Sequence, residues 1–153
     1  MMPQLLPVPH HPQHAEADCL AACVSMVLEY SGVIHTYQVV CQLLGLMPYG
    51  TPMSRVRNLK QLGLTVVYEQ GTLETLSEQL AAKRPCIVPV RTSELSYWRE
   101  DVRHAVVIVG LTPLTIFLND PAFDKAPIGV SRAEFELAWL EQDNRYVTLS
   151  PMP

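Results

Sequence analysis

Gly63 divides the chain into two kinds of apolar pattern. Before it, apolar residues recur at helical spacing. Leu20, Cys23, Val24, Val27 and Leu28 fall at i, i+3, i+4, i+7 and i+8, which is one face of a helix. After it come short runs rich in β-branched residues: "LTVVYE" (64–69), "PCIVPV" (85–90), "HAVVIVGL" (104–111), "TIFLND" (115–120) and "RYVTLS" (145–150). Such runs suit strands. Helices followed by strands is an α+β order, with N-terminal helices packed on a C-terminal antiparallel sheet.

The punctuation agrees. Asp18 and Gly32 frame a first helix over about 19–31 as N-cap and C′ residue. Thr36 and Gly45 frame a second. Thr51-Pro52, an N-cap followed by Pro at N1, opens a third that stops at Gly63,. Thr72 caps a helix over about 73–83, and Ser131 with Glu134 forms a capping box for one ending near Leu140,. "TPL" between the runs at 104–111 and 115–120 is short enough for a hairpin,. Residues 1–17, rich in Pro, read as an extended lead-in, of which 1–12 are free to strap the surface or fill a cleft. The 153 residues match one domain, 1–153, with room for a real core,.

Charge narrows the partners. The net charge is −4, which gives nucleic acid or an anionic membrane no electrostatic reason to bind. "MMPQLLPVPHHPQH" lacks the basic and apolar regions of a signal peptide,. The run at 105–111 is too short to span a bilayer,. The expected location is the cytoplasm, where Cys19, Cys23, Cys41 and Cys86 stay reduced. Their spacing fits no zinc motif, and the His10, His11 and His14 cluster lacks a fixed helical ligand pattern, so neither metal nor cofactor is expected,.

One constellation can carry chemistry. If Cys19 opens the first helix, its sulfur lies beside unpaired amides and the positive end of the dipole, surroundings that favour a thiolate. A nucleophilic cysteine needs a base, and the base an orienting partner. His104 starts an apolar strand and Asp120 ends the next. A hairpin brings both to its open end, where the carboxylate fixes the imidazole's tautomer. Asp101 is the rival carboxylate. Gln13, six residues before Cys19, can offer an amide to an oxyanion beside the Cys19 backbone N–H. Tyr97 and Trp98, in the loop before His104, are candidates to line the substrate cleft. Cys23, Cys41 and Cys86 read as core thiols.

Gln13 and Cys19, "AAC" at 21–23, "HAVVIVG" at 104–110 and "NDPA" at 119–122 together resemble the bacteriocin-processing cysteine peptidases, over nearly the whole chain. "SRAEFELAWL" at 131–140 looks like that family's helix after the Asp. The family commonly has Glu-Cys-Gly where this chain has Asp18-Cys19-Leu20. The resemblance implies a papain-like fold, here as a stand-alone domain. It implies a Cys19–His104–Asp120 triad with Gln13 in the oxyanion hole, and cleavage after small, Gly-Gly-like residues. The substrate is then a peptide or protein. The alternatives are a catalytically silent peptide-binding module, or acyl transfer or isopeptide cleavage on a specific partner protein encoded nearby.

Overall fold

The computed structural model describes residues 4–153; Met1 to Pro3, the start of the expected lead-in, lie outside the described residues. Helix α1 spans Cys19–Tyr30 and α2 Tyr37–Leu44. Gly32 ends α1 in the left-handed region (φ 71°). Its N–H donates to the Glu29 carbonyl at 3.1 Å, and the Val33 N–H reaches the Leu28 carbonyl at 2.9 Å. Those are the two bonds of a Schellman end, which a residue without Cβ accommodates most readily. Thr36 accepts the Val39 N–H at 3.2 Å, capping α2 as expected,.

The third expected helix forms as a 3-10 helix, Met53–Leu62, and Thr51 does not cap it. The reason is periodicity. Met53, Val56, Leu59 and Leu62 repeat every third residue and all pack on the core. A helix of three residues per turn stacks them in one row, whereas an α-helix would fan them out.

Six strands follow: β1 Leu64–Gln70, β2 Cys86–Arg91, β3 Arg103–Leu111, β4 Thr115–Asn119, β5 Ile128–Ser131 and β6 Arg145–Pro151. They form one antiparallel sheet in the order β1-β6-β2-β3-β4-β5. Helices α3 (Leu73–Ala81) and α4 (Arg132–Leu140) complete the chain, both opened by capping boxes.

The sheet is covered on both faces. Ile87, Ala105, Val107, Val109, Val147 and Leu149 pack towards α1, α2 and the 3-10 helix. Val88, Val90, Val106, Ile108, Ile116 and Leu118 pack with Leu76 of α3 and Phe135 and Trp139 of α4. "HAVVIVGL" is therefore apolar without alternation, because both of its faces are buried. Each fully buried Leu or Ile contributes about 1.5–3 kcal/mol. Pro89, expected near a strand end, sits inside β2 opposite Ala105. Offering no N–H, it cannot extend the β2–β6 ladder, which is confined to Ile87 and Val147,.

The lead-in is a strap. The Leu6 N–H donates to the Val109 carbonyl at 2.9 Å and the Gln13 N–H to the Pro121 carbonyl at 2.8 Å. Asn119 Nδ2 donates to the Val8 carbonyl at 3.2 Å. The strap thus follows the β3–β4 hairpin and ends at the corner that holds Asp120.

Candidate active site

A 3-10 turn, Glu16–Asp18, runs directly into α1, so Cys19 is its first residue. Asp18 occupies the N-cap position without capping. Its backbone (φ −95°, ψ 7°) continues the preceding turn rather than adopting the extended form a capping side chain needs,. The carboxylate instead accepts a hydrogen bond from Tyr37 Oη at 3.1 Å. The Cys19 amide belongs to the first helical turn, where N–H groups have no carbonyl four residues back. Its side chain is partly exposed, while Cys23, one turn further, is fully buried. Burial, then the neighbouring Cys19 and Asp120, push the Cys23 thiol far up, so it remains a protonated core group.

The hairpin does what its sequence suggests. Val107 pairs with Asn119, so His104 and Asp120 lie diagonally across the open end, on the same face. His104 Nε2 meets Asp120 Oδ1 at 2.6 Å. The His104 side chain is 4% and that of Asp120 0% exposed. With Nε2 taken, Nδ1 is the ring atom left for Cys19, which lines the same cleft and lies near enough to raise the His104 pKa. Burial alone would lower the His104 pKa, but the bonds to Asp120 and Cys19 and their charge raise it to about 9. Asp120 stays below the ordinary carboxylate range. Burial opposes ionisation there, but His104, Tyr97 and the Ala122 amide outweigh it.

Asp120 has no acceptor capacity left idle. The Ala122 N–H donates to Oδ1 at 2.9 Å. Tyr97 Oη and Trp98 Nε1 donate to Oδ2 at 2.7 Å and 2.9 Å. The edge of Trp98 also meets the His104 ring, 4.8 Å between centroids. This corrects the expectation that Tyr97 and Trp98 line the substrate cleft. They stand behind the His–Asp pair, because a buried carboxylate needs donors and their polar tips supply them. Their loop is pinned by the fully buried Thr92. Its Oγ1 donates to the Glu100 carbonyl at 2.6 Å and accepts the Val102 N–H at 2.8 Å.

The cleft, about 430 Å³, runs past Cys19 and His104 between Leu20 and Met53 on one side and Pro89 and Ala105 on the other. Its rim includes Tyr49, 99% exposed. Thr51 also lines it, with its hydroxyl buried and unbonded among the described residues. No signal in the sequence marked this 47–53 segment as part of the cleft.

Gln13 is held close to the Asp120–Pro121 corner, but its amide faces its own loop. Nε2 donates to the Ala15 and Glu16 carbonyls at 2.8 Å and 3.1 Å, and Oε1 is buried without a partner. Asp101 is not the rival orienter; it binds Arg91 Nε at 2.7 Å on the surface. The three N-terminal histidines diverge. His10 bonds the Phe123 carbonyl, His11 contacts Glu29 and His14 stacks on Tyr37. Among the described residues no cluster of ligands could hold a metal. Cys86 is buried as expected, its thiol pushed up to about 12 by burial. Cys41 is only partly so, because it lies on the flank of α2, whose buried residues are Val40 and Leu44.

The fold is shared with known proteins. The model of the peptidase C39 family matches residues 8–142. A solved structure described as a C39-like peptidase from Bacillus anthracis superposes with a TM-score of 0.81 at 17% identity, covering 99% of both chains. A double glycine motif protease from an AMS/PCAT transporter, in complex with the leader peptide, gives 0.75 at 22% identity, again covering 99% of each. The peptidase domain of Streptococcus ComA, a bi-functional ABC transporter involved in quorum sensing, gives 0.75 at 21%, covering 93% of this chain and 97% of that one. No curated protein sequence matches the chain.

Proposed function

Because the chain belongs to the peptidase C39 family and is a cysteine peptidase, we propose that it cuts peptide bonds with Cys19, His104 and Asp120, assisted by Gln13. The observation that carries this reading is the buried His104, bonded to Asp120 and sharing the wall of an open cleft with Cys19.

The proton of the Cys19 thiol passes to His104, giving a thiolate and an imidazolium. The sulfur attacks the scissile carbonyl. The Cys19 amide, at the head of α1, donates to the developing oxyanion. Gln13 joins it by releasing one of the two carbonyls its Nε2 holds. His104 then gives its proton to the leaving amine, and an acyl-enzyme remains. Water, deprotonated by His104, releases the acid and restores the thiol. Asp120 keeps the ring oriented and balances its charge throughout, and Tyr97 and Trp98 hold Asp120 still.

The substrate is a peptide, or an extended protein segment, lying along the cleft. The double glycine motif protease was captured with a leader peptide, which supports this class. The double glycine motif named for that protease supports small, Gly-Gly-like residues before the scissile bond, in a cleft that Leu20 and Met53 help to line. Thr51 then finds a partner in the substrate backbone. Among the described residues no helix is long and apolar enough to cross a membrane. A reducing compartment such as the cytoplasm suits a peptidase whose four cysteines are all free. The test is cleavage of a peptide containing Gly-Gly, followed by mass spectrometry. Wild type should release both fragments and Cys19→Ala none. Cleavage retained by Cys19→Ala, or acyl transfer to an added amine in place of hydrolysis, would reject the mechanism.

A further inference from the structure

The cleft contains one permanently charged side chain. Arg103 lines it, one residue from His104, and no carboxylate is among the residues that share it. The chain as a whole leans the other way, with 15 acidic against 11 basic residues. Of the other seven arginines six have evident occupations, and Arg99 is not among the residues that line the cleft. Arg91 and Arg132 pair with Asp101 and Glu136. Arg55 and Arg84 bond to Leu44 and Gln79. Arg57 and Arg145 lie over Tyr68. Arg103 is exposed and makes no salt bridge or side-chain hydrogen bond among the described residues.

Arg103 opens β3 directly before His104, and both line the cleft that holds Cys19. We infer that Arg103 is a specificity residue, selecting peptides with an aspartate or glutamate within two residues of the scissile bond on the leaving-group side. This rests on the peptidase reading above. His104 protonates the departing amine, so the departing half of the substrate lies on its side of the sulfur, beside Arg103. A guanidinium offers a carboxylate two parallel N–H donors, and the charged bond is stronger than a neutral one. Leu20, Met53, Pro89 and Ala105, which share the cleft, carry no charge, so Arg103 is its one cation outside the His104–Asp120 pair.

The experiment profiles cleavage sites in a mixed peptide library by mass spectrometry. It uses wild type, Cys19→Ala, Arg103→Gln and Arg103→Glu. Matched peptides carrying Asp or Asn at the enriched position follow. Wild type should cut the Asp peptide about tenfold faster, and added salt should narrow that ratio. Arg103→Gln should bring the ratio near one, and Arg103→Glu should shift the preference to Lys or Arg. Because each result is a ratio within one variant, partial loss of folded protein does not mimic it. Cys19-dependent cleavage without acidic enrichment on the leaving side, or a ratio unchanged in Arg103→Gln, overturns this inference and leaves the peptidase standing. Absence of any Cys19-dependent cleavage overturns both.

Discussion

Asp120 shows what a buried charge demands of its neighbours. It is 0% exposed and accepts from His104, Ala122, Tyr97 and Trp98. Asp120→Asn keeps the shape but removes the charge that holds the imidazolium, so kcat/KM should fall about a hundredfold or more. The His104 pKa should drop from about 9 towards its ordinary value, as NMR titration of the ring would report. Trp98→Phe removes one of the two donors to Oδ2 and should cost about tenfold in kcat/KM. A neutral result for Trp98→Phe would mean that Tyr97 alone suffices. Cys19, His104 and Asp120, the proposed triad, were legible as candidates because each stands where an element begins or ends. The roles of Tyr97 and Trp98 were not. Sequence marks a loop aromatic as available, but whether it faces the cleft or the back of Asp120 is decided by how residues 92–102 fold over the sheet.

At the scale of elements, the hydrophobic period identified most of the chain. The five strand runs, the α2 and α4 caps and the hairpin all lie where the pattern puts them. Two elements depart from it: β5, Ile128–Ser131, lies in a stretch not expected to be a strand, and Met53–Leu62, with an apolar residue every third position, takes the 3-10 form. That spacing was readable, but Thr51-Pro52 looked like an α-helical start and outweighed it. The covering of the sheet's second face by α3 and α4 was not readable, since periodicity tells which residues are buried and not against what. The 92–102 loop depends on one hydroxyl. Thr92→Val preserves the volume but strands the Val102 N–H and Glu100 carbonyl. It should lower stability by about 1–3 kcal/mol, as a reduced midpoint of urea unfolding at unchanged m. It should also lower kcat/KM, because the same loop carries Tyr97 and Trp98. If the midpoint moves and activity does not, the loop is a structural clasp only.

Across the whole molecule, the cleft lies where the helical layer meets the end of the sheet, with the proposed nucleophile on α1 and its proposed base on β3. Folding is therefore what creates the pair, and stability should carry its signature. His104 has a folded pKa of about 9 against about 6.5 in an unfolded chain. The folded state thus holds the proton more tightly. The contribution is fully present below about pH 6.5 and is lost as pH rises through about 9,. Asp120 acts in the opposite sense, its contribution present above the ordinary carboxylate range and lost on acidification. Urea midpoints from pH 6 to 10 should show wild type losing its advantage over His104→Gln across that upper window. A constant difference would mean that His104 is not protonated in the folded chain. The most direct test of the central claim needs no substrate. Alkylation of Cys19 by iodoacetamide is followed against pH, by peptide mass spectrometry, in wild type and His104→Ala. An ordinary thiol reacts mainly above its pKa of about 8.5. Rapid labelling of Cys19 near pH 6 that disappears in His104→Ala is the result the account requires. Labelling confined to alkaline pH in both proteins would contradict it, for then α1 and β3 assemble no reactive pair.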